Sequence, residues 1–133
     1  MTVASSEQLQ ITAESDVVSA RRRVRDAAAR IHFSLVDQTK LVTAASELAR
    51  NTLTYGGGGY MLLEILNGDR TGIRLTFVDQ GPGIADIETS MRDGFTTGNG
   101  LGLGLGGSKR LVNEFEIVSK IGEGTRIVVV KWK

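Results

Sequence analysis

None of the 17 glycines in this 133-residue chain precedes Gly56, and nine of them fall between Gly81 and Gly107. Glycine is close to twice its usual share of about 7%, while the chain holds a single proline. That combination excludes a Gly/Pro-rich linker. It describes an ordinary globular sequence into whose second half glycine has been inserted. Backbone that must approach something closely is the natural reason, and a backbone-lined ligand site is the expectation.

The rest of the composition narrows the class. The length suits a single domain spanning 1–133, able to bury a core without staples. With no cysteine, the chain can hold no disulfide, thiolate metal site or cysteine nucleophile, which fits a reducing compartment. Sixteen Lys+Arg against 15 Asp+Glu leave +1, so the bulk charge points to neither nucleic acid nor an anionic membrane. The first residues lack the basic start and apolar stretch of a signal peptide, and no run approaches 18 apolar residues. A cytoplasmic protein is expected.

Periodicity supplies the elements. Glu7 to Ala13 alternates as a half-buried strand. From Ser15, helical spacing of Val17, Ala20, Val24, Ala27, Ala28 and Ile31 predicts an amphipathic helix to about His32. Ser34 followed by Asp37 resembles a capping box, opening a second helix with the stripe Leu41, Ala45, Leu48 and Thr52. Glycines 56 to 59 end it. Tyr60–Leu66 and Ile73–Val78 read as an antiparallel pair. A short helix over 86–92, a glycine-rich lid, a helix over 106–115, and strands at 116–120 and 125–132 complete the chain. The order predicts a two-layer α+β sandwich: a mixed, mostly antiparallel sheet covered on one face by three helices.

Three places carry polar groups suited to chemistry. Glu47 and Asn51 lie one helical turn apart on one face, where a carboxylate and an amide oxygen can hold a hydroxyl and a hard cation together; a solvated pair explains the spacing as well. Asp79 ends a strand and precedes Gly81 and Gly83, so it can accept from an exocyclic amine beside an approachable backbone. A plain Asx turn is the alternative. The run from Gly98 to Gly107 leads into a helix N-terminus, a natural phosphate site. Its literal G-x-G-x-x-G match at Gly102–Gly107 lacks the βαβ context of a dinucleotide fold, and neither a Walker A loop nor the eukaryotic-type kinase motif set occurs.

In combination and order these segments resemble the GHKL ATPases, the superfamily of gyrase, histidine-kinase, chaperone and MutL nucleotide domains. Glu47-Leu48-Ala49-Arg50-Asn51 matches its N box, Asp79-Gln80-Gly81-Pro82-Gly83-Ile84 and Gly100-Leu101-Gly102-Leu103-Gly104-Leu105 its glycine boxes, and Gly122-Glu123-Gly124-Thr125 its last motif. Ser46–Asn51, Asp93–Thr97, Lys109–Leu111 with Glu114-Phe115, and Lys131-Trp132 are similar to the RsbT-type serine/threonine kinases of the anti-sigma-factor kinase group. The resemblance implies a Bergerat fold binding Mg-ATP and phosphorylating a STAS-domain stressosome protein on Ser or Thr. A downstream regulator such as a phosphatase would be engaged afterwards, and a homodimer is left open.

Carried over by position, Asn51 takes Mg²⁺ and Glu47 becomes the candidate catalytic base. Asp79 takes the adenine amino group, with Gly81, Gly83 and Ile84 around the ring and Thr125 supporting it. Thr96, Thr97, Gly100, Leu101, Gly102, Leu103, Gly104 and Gly106 line the phosphates. An RsbW-like anti-sigma factor, a nucleotide-gated binding module without important catalysis, is the alternative. Histidine kinases are set aside because the chain has no second domain for a phosphoacceptor hairpin; His32 reads instead as a helix-end residue. The Arg21-Arg22-Arg23-x-Arg25 cluster is either a solvated face or a dock for an acidic partner surface.

Overall fold

The computed structural model describes residues 2–83 and 104–133. In chain order these form β1 (Thr2–Ile11), α1 (Glu14–Arg30), α2 (Leu35–Thr54), β2 (Gly59–Asn67), β3 (Gly72–Asp79), α3 (Gly104–Arg110), β4 (Glu114–Lys120) and β5 (Gly124–Trp132). The strands make one five-stranded sheet in the order β1-β2-β3-β5-β4. Every described pairing is antiparallel. The expected two-layer α+β sandwich is what forms.

Alternation in the strands sets the inner face. Met61, Leu63 and Ile65 of β2, Ile73, Leu75 and Phe77 of β3, and Ile127 and Val129 of β5 are buried against the helices. From α1 come Val17, Ala20, Val24, Ala27 and Ala28, and from α2 Leu41, Ala45, Leu48 and Ala49. Small residues on α1 let it lie close to α2. Leu105 brings α3 into the same core, packed against α2. Each fully buried large apolar side chain here contributes about 1.5–3 kcal/mol.

Two local expectations are corrected. Ser15 does not open α1. Ala13 occupies the cap position, and the Asp16 carboxylate accepts from the backbone N–H of Thr12 (2.9 Å) and Ala13 (3.0 Å), the reach-back half of a capping box. Those hydrogen bonds hold the Asp16 carboxyl below its usual value. The third helix does not run to Phe115: it ends at Arg110, and β4 begins at Glu114. Phe115, Ile117 and Ser119 follow the period of a strand, and the Asn113 N–H donates to the Val130 carbonyl (2.9 Å) to start the ladder. His32, read as a helix-end residue, is exposed and sits at φ 66° just past α1. Its N–H donates to the Ala29 carbonyl and that of Phe33 to the Ala28 carbonyl, the paired bonds of a Schellman ending.

Ser34 caps α2 as expected, its Oγ accepting from the Asp37 N–H at 3.1 Å. At the other end the Asn51 carbonyl accepts from the N–H of Tyr55 (3.0 Å) and Gly56 (3.1 Å), and the chain turns into β2. No described helix is long and apolar enough to cross a membrane.

Candidate nucleotide site

Strand register places a row of residues at one end of the sheet. Gly59 of β2 faces Asp79 of β3, Asp79 faces Thr125 of β5, and Thr125 faces Ser119 of β4. Asp79 is half-buried there, beside the C-terminal end of α2. Burial pushes its carboxyl above the usual carboxylate range, against backbone hydrogen bonds from Gly81 and Thr125 that favour the charged form. The Gly81 N–H donates to Oδ1 at 2.9 Å. Beyond it, the Thr125 and Ser119 hydroxyls lie 2.7 Å apart and Ser119 Oγ donates to the Gly124 carbonyl at 3.1 Å. A cleft bordered by Asp79, Gln80, Ser119, Lys120, Glu123 and Thr125 opens at this end.

Glycine makes this crowding feasible. A Cβ on Gly56 would sit 2.6 Å from Asp79 Oδ2, and one on Gly81 would sit 2.6 Å from the Gly56 Cα. One on Gly124 would collide with the Asp79 carbonyl, and one on Gly59 with the Val78 carbonyl. Gly83 has φ +79° and faces the Lys120 carbonyl, while the Gly122 N–H donates to the Pro82 carbonyl at 2.8 Å. The Gly81-Pro82-Gly83 turn is thereby locked over the β4–β5 hairpin. What Gly83 admits among its described neighbours is protein backbone.

Glu47 and Asn51 are both half-buried on α2, one turn apart, and neither side chain has a hydrogen bond or ion pair among the described residues. Their neighbour Arg50 is tied outward to Glu14 of α1 at 3.1 Å. The Asn51 turn leads directly into Gly56 and so to Asp79. Gly104, with φ +71°, and Gly106 are buried at the start of α3, whose Ser108 hydroxyl donates to the Gly104 carbonyl at 3.2 Å. Ile84, Thr96, Thr97, Gly100, Leu101, Gly102 and Leu103, like the expected helix at 86–92, lie outside the described residues.

Sequence reasoning brought Glu47, Asn51, Asp79 and Thr125 into view. It missed Gly56 and Gly59, read there only as a helix stop, and Ser119. The signal for Ser119 was present: it takes the third inward slot after Phe115 and Ile117, where an apolar residue would be expected.

The arrangement offers a partly desolvated hydrogen-bond acceptor fixed by backbone, and a carboxylate and amide free to meet a ligand one turn apart on the neighbouring helix. Residues 36–133 match the family model described as histidine kinase-, DNA gyrase B- and HSP90-like ATPase. The chain is 46% identical over 125 residues to serine/threonine-protein kinase RsbT of Bacillus subtilis, covering 93% of this chain and 94% of that protein. It is 33% identical over 132 residues to the anti-sigma F factor of Heyndrickxia coagulans, covering 93% and 90%. Among solved structures, the RsbU and RsbW domains of a Mycobacterium tuberculosis protein superpose with a TM-score of 0.66 at 18% identity, over 96% of this chain and 32% of that one. The mycobacterial sensor histidine kinase MprB gives 0.56 at 20% identity, over 96% and 97%. These two likenesses concern the fold.

Proposed function

The chain belongs to the histidine kinase-, DNA gyrase B- and HSP90-like ATPase family, and from that premise we propose that it is a cytoplasmic serine/threonine-protein kinase that phosphorylates a STAS-domain protein and switches partners in bacterial stress signalling. The relative named serine/threonine-protein kinase RsbT, alike over nearly its full length, supports the activity class. The observation that carries the site reading is the continuity from Glu47 through Asn51 and Gly56 to Asp79, one helix face running into the sheet end.

Asp79 accepts a hydrogen bond from the adenine amino group, and burial strengthens that contact by excluding water. Thr125 and Ser119 hold the ladder beside it. Asn51 offers an amide oxygen to Mg²⁺. One amide oxygen would suit a hard cation that keeps waters in its other positions. Such an ion supplies charge neutralisation during transfer. Glu47, one turn nearer the N-terminus of α2, accepts the proton of the acceptor hydroxyl as its oxygen bonds to the γ-phosphorus. The bond from the γ-phosphorus to the bridging oxygen breaks and ADP leaves. Gly104 and Gly106, with the glycine run before them, line the phosphates. A downstream regulator such as a phosphatase is engaged once the phosphorylated partner is released.

The test is phosphate transfer from γ-labelled ATP to the STAS-domain protein of the source organism. Glu47→Gln should keep ATP-dependent thermal stabilisation while transfer falls at least about 100-fold. Undiminished labelling by that variant overturns the assignment. The anti-sigma F factor relatives favour a second reading in which partner capture is the main output. In that case Glu47→Gln abolishes labelling yet leaves signalling in cells intact.

A further inference from the structure

The exposed face of α2 does not stop at Glu47. At steps of four and three residues, Val36, Lys40 and Thr43 fall in one line with Glu47 and Asn51. Val36 is 63% exposed, and Lys40 and Thr43 are exposed as well. Beside Val36 in the same first turn, Leu35 is 73% exposed. Two large apolar side chains standing in solvent in the opening turn of a well-capped helix are more than the cap requires, since Ser34 supplies that. Lys40 has no ion pair or hydrogen bond among the described residues and so is free to meet a partner's carboxylate.

We propose that this N-terminal half of α2 is the docking track for the phosphoacceptor protein, which presents an apolar side chain to Val36 and Leu35 and a carboxylate to Lys40 while its hydroxyl reaches Glu47. The inference rests on the role of Glu47 given above. The nucleotide placement proposed above sets the direction of approach. The C-terminal half of α2 runs through Asn51 and Gly56 to Asp79 and belongs to the nucleotide. A hydroxyl in line with the γ-phosphate therefore comes from the other side, over the turns that carry Thr43, Lys40 and Val36. At about 1.5 Å rise per residue, Lys40 lies about 10 Å and Val36 about 16 Å along the helix from Glu47. That is the reach of one folded partner's surface, with the recognised carboxylate about three residues of extended chain from the phosphorylated Ser or Thr. The occupant is an acidic, partly apolar protein surface, since a bare peptide hydroxyl would need neither exposed anchor.

The experiment compares wild type with Lys40→Glu and Val36→Ser in steady-state phosphorylation of the STAS-domain protein, alongside ATP-dependent thermal stabilisation. Both variants should retain wild-type nucleotide stabilisation and kcat while KM for the acceptor rises at least tenfold. The Lys40→Glu defect should be recovered by an Asp/Glu→Lys change on the acceptor near its phosphorylated residue. Lys133→Glu, at the chain end, controls for bulk charge. Unchanged KM in both variants, or an equal rise with Lys133→Glu, overturns the docking assignment while leaving Glu47 as base. If Glu47→Gln transfers phosphate as fast as wild type, the reading of Glu47 falls and this inference falls with it.

Discussion

Replacing Gly56 by alanine is the sharpest probe of the site, because the new methyl has one place to go. Its carbon would collide with Asp79 Cγ and Cβ and stand 2.6 Å from Oδ2, at least about 0.8 Å inside the 3.4 Å at which ordinary contact begins. Gly56 does not need a left-handed backbone, so the substitution acts through this collision and not through φ. Because Asp79 Cβ itself is in the way, the end of β3 must move with the side chain, which disturbs the 2.9 Å hydrogen bond from the Gly81 N–H. Overpacking of this kind costs the fold about 1–3 kcal/mol. Losing a hydrogen bond between a charged carboxylate and the adenine amine costs about 1.5–3 kcal/mol of affinity, a factor of roughly 10 to 150.

Thermal unfolding separates the two costs when each variant is measured with and without ATP and Mg²⁺. At ATP one hundred times the wild-type Kd, binding stabilises by about 2.7 kcal/mol; a roughly 40-fold loss of affinity leaves about 0.7 kcal/mol. With about 4 °C per kcal/mol for a chain of this size, the ATP-induced shift falls from about 11 °C to about 3 °C. Gly57→Ala is the control. Gly57 has φ +71° and nothing within 4 Å of its would-be Cβ, so it costs about 1 kcal/mol of stability and leaves the ATP shift intact. A Gly56→Ala protein with the full ATP-induced shift would refute the placement of adenine against Asp79.

Two further outcomes follow from the same structure. Burial raises the Asp79 carboxyl above its unfolded value of 3.8, so its contribution to stability is present below that value and is lost as pH rises through the folded one. Asp79→Asn should therefore be more stable than wild type at neutral pH without nucleotide, lose that advantage on acidification, and show no ATP-induced shift; a pH series of urea midpoints checks it. His32→Gly removes a non-glycine residue from φ 66° and should stabilise by about 0.5–1 kcal/mol, with an unmoved urea midpoint counting against the Schellman reading.

The parts legible in the sequence were those where the local rules agreed. The buried stripe Leu41, Ala45, Leu48 and Thr52 was read correctly because helix period and residue type agreed. Leu111, Val112 and Phe115 misled because spacings of one, three and four fit a helix face as well as a turn followed by a strand. Pairing decided it: the Val130 carbonyl takes the Asn113 N–H, and Asn113 Oδ1 accepts from the Trp132 N–H at 2.8 Å. Lys131 was illegible for the opposite reason. Alternation places it inward with Ile127 and Val129, and residue type places it in water. It is in fact buried, with Nζ donating to the Leu111 carbonyl at 3.0 Å and 3.7 Å from Asp37 at the start of α2. No residue-level propensity anticipates a partner supplied by two other elements.

Glycine enrichment first suggested backbone opened to a ligand, and among the described residues it has a different immediate cause. Gly56, Gly59, Gly81 and Gly124 are each in close contact with Asp79, its flanking backbone or one another. They let protein close on protein around a single carboxylate. The functional consequence is preorganisation: an acceptor wedged between two backbone segments and held by an N–H of a locked turn needs no reordering when a donor arrives. The accompanying cost is the desolvation that shifts the Asp79 carboxyl upward. A fold selected for stability alone would place an asparagine or a threonine at that strand end and relax the glycines. A desolvated carboxylate confined by small residues is what the proposed reading of an exocyclic amine calls for.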